Sequence, residues 1–392
     1  MANTFLTPTA VTREALRVLH QKLNFVGSIT REYDKSFAKQ GAKIGDTLKI
    51  RMPNQYVVRT GATLSAQDTT ETNVELKVQT QKGVDLNFTS VDLTMNLDDF
   101  SDRILEPAMS VLAANIESDA MSMYKDVAQS VWNGGSANTL AKIGAGRALL
   151  QNALAPGSGR TANLNVQDMA DIVDASKSLF NSAPDISKQY REGYVGRQGG
   201  FDYAENTMWP GHTRGAGVSY LVNDTVASGD EVITVDTGTG AVAQGDVFTI
   251  AGVFKVHPET KLATSILQQF VLTAAATSGA NTWSVSPAMI STGAKQNISA
   301  LPADNAAITF LGTASTAVGT SLLYQKGAFA FATADLQMPK GVDFSARENF
   351  DGISLRIVRQ YDINNDKFPC RLDVLYGYKT LRAQLATRLH NN

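Results

Sequence analysis

The chain has 392 residues, more than one average domain, with a hydrophobic fraction of 43% and a formal net charge of -2. That balance supports a sizeable core and excludes a polycation that coats itself in nucleic acid. A single cysteine, Cys370, excludes an internal disulfide and a cysteine-rich zinc site, and it fits a reducing compartment. The first residues lack a basic start followed by an apolar run, so no signal peptide is expected, and no stretch of about 18 apolar residues predicts a membrane helix. The charge is unevenly placed. Residues 1–60 hold ten Lys/Arg against four acids, net +6, whereas residues 84–126 hold two against nine, net -7. These are either two solvated faces or two surfaces that meet across copies of the protein.

In chain order, residues 10–23 predict a helix. Ala15, Leu16, Leu19 and Leu23 recur at helical spacing, with Thr9 and Thr12 as candidate N-caps. Alternation predicts strands over 47–52 and 74–79, joined by some twenty Thr-, Gly- and Ser-rich residues whose one apolar cluster is Tyr56-Val57-Val58. A two-stranded hairpin with so little to bury is marginal in water and needs another surface. Residues 97–106 are expected to form a short helical lead. Pro107 then opens a helix predicted to run to about residue 132, stopped by Asn133-Gly134-Gly135, as a rod of roughly 38 Å. Another helix is expected over 165–180.

Residues 222–310 change character. Only ten charges remain, among them Lys255, Lys261 and Lys295, and short strands at 231–235, 246–250, 269–273 and 281–285 alternate with turns. This predicts a small all-β barrel or sandwich inserted into the main fold. Residues 328–332 predict a buried strand, and 353–358 with 371–375 a hairpin.

No enzymatic constellation emerges. His20, His212, His257 and His390 are scattered without metal-ligand spacing and read as core or surface side chains. His257-Pro258-Glu259 matches half of a zinc deaminase motif, but Pro369-Cys370 lacks the second cysteine of the other half. Phosphate-binding and nucleophile-elbow motifs are absent. The carboxylates Asp98, Asp99, Asp102 and Glu106 are better explained as acids near a helix start than as catalysts. The expectation is therefore no catalytic residue, no metal and no cofactor.

The order of these elements resembles the coat proteins of tailed double-stranded DNA phages with the Hong Kong ninety-seven-type fold. Within them it resembles the P-twenty-two-like family, which carries an inserted β domain. The resembling residues are Tyr33-Asp34, the run from Gly45 to Pro53, Leu97-Asp98-Asp99-Phe100, Pro107-Ala108, the run from Val358 to Asp362, and the run from Arg371 to Gly377. The resemblance implies an α+β major capsid protein, structural and not enzymatic, that self-assembles into pentamers and hexamers of an icosahedral shell. It implies an N-terminal arm at 1–40, an extended hairpin or E-loop at 41–83 and a peripheral domain with a spine helix at 84–135. An axial domain follows at 136–221 and 311–335, interrupted by the inserted β domain at 222–310, with peripheral strands at 336–392.

The partners it implies are other copies, a portal protein, packaged double-stranded DNA held by weak non-specific contact, and a separate scaffolding protein, since the Gly45-Asp46-Thr47 motif leaves no room for a fused one. No membrane is involved, and the location is the virion capsid, assembled in the host cytoplasm. Near-zero net charge argues against tight duplex binding, so the basic arm (Arg13, Arg17, Lys22, Arg31, Lys35 and Lys39) is expected to touch scaffold or DNA weakly. A β-rich adhesin or tail protein is the second reading, favoured by the Thr/Gly-rich middle and opposed by the long helix. An enzyme of unknown class is the third.

The charge pattern names candidate contact residues: Arg51, Tyr56, Val58 and Arg59 on the hairpin, facing Asp98, Asp99 and Asp102 of a neighbour. Exposed ion pairs contribute only about 0–1 kcal/mol each, so they orient docking while apolar contacts supply affinity. Assembly followed by light scattering should slow as salt rises past the point where the Debye length is about 8 Å, and Arg59→Glu should slow it further. Rates flat in salt, with Arg59→Glu matching wild type, would rule out electrostatic docking by this loop.

Overall fold

The computed structural model describes residues 8–33, 46–59, 61–64, 66–67, 71–88, 104–133, 135–176, 195–350, 352–364 and 367–391. The chain divides into two compact units. The first comprises Met1–Arg51, Asn73–Ala120 and Phe329–Leu381, and the second Met52–Thr72, Met121–Ala328 and Arg382–Asn392.

The first unit is built on one long strand. Phe368–Thr380 is 13 residues long and alternately apolar. Along one part it pairs antiparallel with Thr80–Phe88, from Phe368 opposite Phe88 to Tyr376 opposite Thr80. It also pairs with Ile353–Arg359 through Arg356 opposite Asp373, and with Phe329–Ala334 through Phe331 opposite Tyr378. Phe344–Phe350 extends the sheet beyond Ile353–Arg359, and Thr30–Tyr33 adds a parallel edge to Phe329–Ala334. The helix Pro8–Lys22 lies across the Phe344–Phe350 and Ile353–Arg359 strands. It buries Val11, Ala15, Leu16, Val18 and Leu19 on one stripe while Arg13 and Arg17 stay outside. Thr12, expected as a cap, sits inside this helix and is fully buried; the helix begins at Pro8, whose fixed φ suits a first turn.

The hairpin forms in the expected register, Asp46–Arg51 antiparallel to Asn73–Val78 with Leu48 opposite Leu76. Its stem packs Leu76 and Val78, with Leu48 and Ile50, against Ala330, Ala332 and Ala334. Small side chains are required there because the layers approach closely: a Cβ at Gly377 would strike the Lys77 carbonyl. A buried carboxylate ties the arm to the long helix. Glu117 accepts hydrogen bonds from the backbone N–H groups of Phe25 and Val26, each at 3.0 Å, at the start of the short helix Phe25–Ser28.

The long helix is shorter than the sequence predicts. It runs Glu106–Met121, 16 residues or about 24 Å. It then tightens into the 3₁₀ turn Ser122–Asp126, and Val127 is extended at φ -85°, ψ 113°. Val131 and Trp132, expected on the helix, lie in the strand Ser130–Trp132, which pairs parallel with Arg388–His390. Apolar spacing of three and four continues through residue 131, but the β-branched and aromatic residues there suit a pleated surface, and the ladder supplies their backbone partners. The expected lead at 97–103 lies outside the described residues.

In the second unit a six-stranded sheet runs Ser130–Trp132, Ala386–His390, Thr320–Gln325, Arg160–Leu164, Phe201–Glu205, Arg197–Gln198. Residues 386–390, expected among the peripheral strands, therefore sit inside this sheet. Of the helix expected over 165–180, Val166–Ala175 is described, capped by the Asn165 side chain, which accepts from the Asp168 N–H at 2.7 Å. Residues 177–194 lie outside the described residues.

The segment 221–310 forms a second six-stranded sheet in the order Leu221–Val222, Asp230–Asp236, Asn281–Met289, Ala263–Leu272, Val247–Val256, Ile308–Phe310. An isolated bridge between Leu221 and Ala307 joins its two ends, so the sheet closes as a barrel. Tyr220, Phe248, Phe270 and Trp283 fill it, with Phe310 packed against them. The Tyr220 and Trp283 rings meet edge to face at 4.8 Å.

Gly377→Ala should lower the stability of the first unit by about 1–3 kcal/mol, because the added methyl forces the two layers apart. Thermal unfolding of the purified subunit reads this directly; an unchanged midpoint would show that the layers separate freely.

Candidate functional site

Among the described residues, the hairpin tip exposes several apolar side chains. Its ladder ends where the Met52 N–H donates to the Thr72 carbonyl at 2.8 Å. Beyond that pair the apolar side chains face solvent: Tyr56 is 57% exposed, Val58 87% and Leu64 81%. The tip is shaped by its own polar groups. Gln67 clamps Val57 from both sides, accepting from the Val57 N–H at 2.9 Å and donating to its carbonyl at 2.5 Å. The Arg59 guanidinium donates to the carbonyls of Gly61 and Thr63, the latter at 3.1 Å. The tip thus holds a defined shape while presenting apolar groups that nothing in the subunit's interior uses. Arg51 is exposed at the end of the stem, opposite Asn73. Asp98, Asp99 and Asp102 lie outside the described residues.

The basic arm helix is partly neutralised within its own unit. Arg17 pairs with Glu14, and Arg13 Nε lies 3.7 Å from Glu348. Both arginines remain more than half exposed, so these pairs contribute little to stability.

A buried polar junction forms at the root of the barrel. The Asp246 carboxylate accepts from the N–H groups of Ala243 at 2.8 Å and Gly215 at 3.0 Å, and from His212 Nε2 at 3.1 Å. The Tyr124 hydroxyl lies 3.3 Å from His212 Nδ1, so the ring bridges the 3₁₀ turn to the carboxylate. Arg214 donates to the Gly312 carbonyl at 2.8 Å and stacks 4.8 Å over Phe310. Arg388, fully buried, donates to the Gly245 carbonyl at 2.8 Å and lies 5.8 Å over the Tyr124 ring. Burial brings its guanidinium down to about 10, opposed by Tyr124, Asp246 and Asp126. Burial also raises the Tyr124 phenol, which keeps it a proton donor. The scattered histidines of the sequence thus include two, His212 and His390, whose rings lie 6.0 Å apart. Nothing local signalled this. The cluster joins residues near 124, 212, 246 and 390, and only the Gly245-Asp246 turn hints at it.

Among the described residues no group of three or more His, Cys, Asp or Glu is arranged to hold a metal ion. Cys370 is buried, which pushes its thiol up to about 12 and leaves it unreactive.

The family model described as P22 coat protein, gene protein 5, matches residues 212–387, from the barrel root through the long strand. No curated protein sequence matches the chain. Among solved structures the chain is similar to one from Mycobacterium phage Che8, at 12% identity over 94% of this chain and 90% of that one, with a TM-score of 0.47. The mature capsid of bacteriophage PhiM1 gives 11% identity over 94% and 87%, with a TM-score of 0.44. The CUS-3 coat protein I-domain gives 28% identity over 24% of this chain and 94% of that one, with a TM-score of 0.20.

Asp246→Ala should cost about 3–5 kcal/mol, because it strands two partly buried N–H groups and the buried His212 ring and removes a carboxylate that acts on the buried Arg388 cation. The readout is the denaturant midpoint of the purified subunit; a loss below about 1 kcal/mol would show that the junction is not a structural keystone.

Proposed function

We propose that the chain is a tailed-phage major capsid protein of the P22 coat-protein kind, a reading supported by the family match over residues 212–387, and that the exposed tip of its hairpin is the surface that clasps a neighbouring copy as the shell closes. The protein is a structural component of the virion and builds an icosahedral shell; it is not an enzyme. Its fold is the Hong Kong ninety-seven type with an inserted β domain, here the six-stranded barrel.

The observation that carries the clasp is the tip itself, held in shape by Gln67 and Arg59 yet leaving Tyr56, Val58 and Leu64 in solvent. Burying such side chains on a neighbour contributes roughly 1.5–3 kcal/mol each, minus the entropy of docking, so single contacts stay weak and a misplaced subunit can leave. A ring of five or six copies multiplies that contact without any one bond becoming permanent. Arg51 and Arg59 orient the approach toward an acidic face, for which Asp98, Asp99 and Asp102 are the candidates. With Arg59 engaged by its own loop carbonyls, its charge acts at a distance more than through a close ion pair.

Pentamers and hexamers are the assemblies this reading entails. A separate scaffolding protein to set curvature, a portal protein at one vertex and double-stranded DNA held inside by weak contact complete the set of partners.

Deleting residues 60–72, or introducing Val58→Asp, should leave a subunit with wild-type circular dichroism and melting but stop shell formation in negative-stain images. Val58→Asp should slow assembly at least tenfold. Normal shells from either variant would show that the tip is not the clasp.

A further inference from the structure

Three stretches of the second unit converge on His390. Its strand, Ala386–His390, lies between Ser130–Trp132 and Thr320–Gln325. The Trp132 ring sits 5.9 Å from the His390 ring and the His212 ring 6.0 Å away. A small void beside them is lined by Trp132, His212, Arg214, Asp246 and His390.

The charges facing this site are unbalanced toward cations. Arg388 comes from the same strand and Arg214 from the barrel root, while the Lys125 side chain packs beside Gly245. Of the acids, Asp126 acts on Arg388, and Asp246 already receives Ala243, Gly215 and His212. His390 Nδ1 makes no hydrogen bond among the described residues. A proton on His390 would therefore add a second buried cation beside Arg388, with no carboxylate of its own to receive it.

We propose that His390 is an acid-sensitive latch, whose protonation releases the Ala386–His390 strand from the sheet before the rest of the subunit unfolds. The environment supports this direction: burial above all, then Arg388 and His212, hold the docked imidazole well below its ordinary value of 6.5. A released strand returns the ring to water and to that ordinary value. Above about pH 6.5 neither form binds the proton and docking is at full strength. As pH falls through 6.5 the released form gains a proton that the docked form cannot take. Release then becomes about tenfold more favourable per pH unit, down to the depressed value of the docked ring. Trp132 and Thr320, which flank His390 in the ladder, lose their partner in the same event.

The test is native-state hydrogen exchange of the full-length subunit from pH 7.5 to 5.0, read by mass spectrometry and corrected for the intrinsic pH dependence of exchange. The opening constant of the peptide containing residues 386–391 should rise about tenfold per unit below about pH 6.5, while peptides from the barrel strands Ala263–Leu272 and Asn281–Met289 do not follow. His390→Gln, which cannot be charged, should flatten the response. A parallel rise in strand and barrel, no rise in the strand, or an undiminished response in His390→Gln would each overturn the latch. If His390→Gln fails to fold, the comparison of strand with barrel in the wild type decides alone.

Discussion

Backbone hydrogen bonding along the Phe368–Thr380 strand is the constraint on which the first unit rests. Strands drawn from three separate parts of the sequence, Thr80–Phe88, Phe329–Ala334 and Ile353–Arg359, satisfy their ladders against it. Because side chains alternate strictly along a strand, a slip of one residue would move Leu372, Val374 and Tyr376 together to the face where buried Asp373 and Leu375 now sit. Register is fixed by this alternation and by an ion pair between strands. Arg356 on the neighbouring strand reaches Asp373 at 2.6 Å, while Arg371, two residues along the same strand, reaches the same carboxylate at 2.9 Å. Asp373 is buried, so a slipped register would cost its charge the Arg356 partner. The hairpin stem and the arm helix then dock on a platform that has one allowed arrangement.

The two units use buried polar groups in the same way, as ties between distant segments. Glu117 fastens the arm to the long helix, and Asp246 fastens the barrel root to the 3₁₀ turn and the Ala386–His390 strand through His212 and Arg388. Each tie satisfies backbone N–H groups that apolar packing alone would leave unpaired.

Much of this architecture was legible in the sequence where the signal is local. Alternation fixed the 46–78 hairpin to within one residue, and turn residues every few positions marked the barrel strands. Helical spacing found the arm helix. The end of the long helix was not legible, because Val127 and Val131 continue a helical repeat while their backbone belongs to a turn and a strand. Periodicity reports which face is buried and is silent on which partner completes the backbone. Glu117 was counted as one acid in an acidic stretch, yet it is buried and bonded across 92 residues of chain. The His212–Asp246–Arg388 junction is not legible for the same reason: its hydrogen bonds join residues 34 and 143 positions apart. The exposure of Tyr56 and Val58 is legible because apolar groups in a polar loop are visible locally.

The placement of Ala386–His390 has a consequence for how the protein is made. Ser130–Trp132 and Thr320–Gln325 both bond to this strand, one from each side, and they precede it in the chain by more than two hundred and by sixty residues. On the ribosome, the first of these edges stays open until more than two hundred further residues have been made. The barrel, by contrast, has every pairing partner within residues 221–310 and can close as soon as that stretch has emerged. Translation therefore yields a finished barrel beside a half-built sheet with two unpaired edges, the form of exposed strand most prone to pair with another nascent copy. Any slowing of translation between residues 325 and 386 lengthens that exposure. The demand for chaperones should then scale with the synthesis rate of that stretch more than with the stability of the finished subunit.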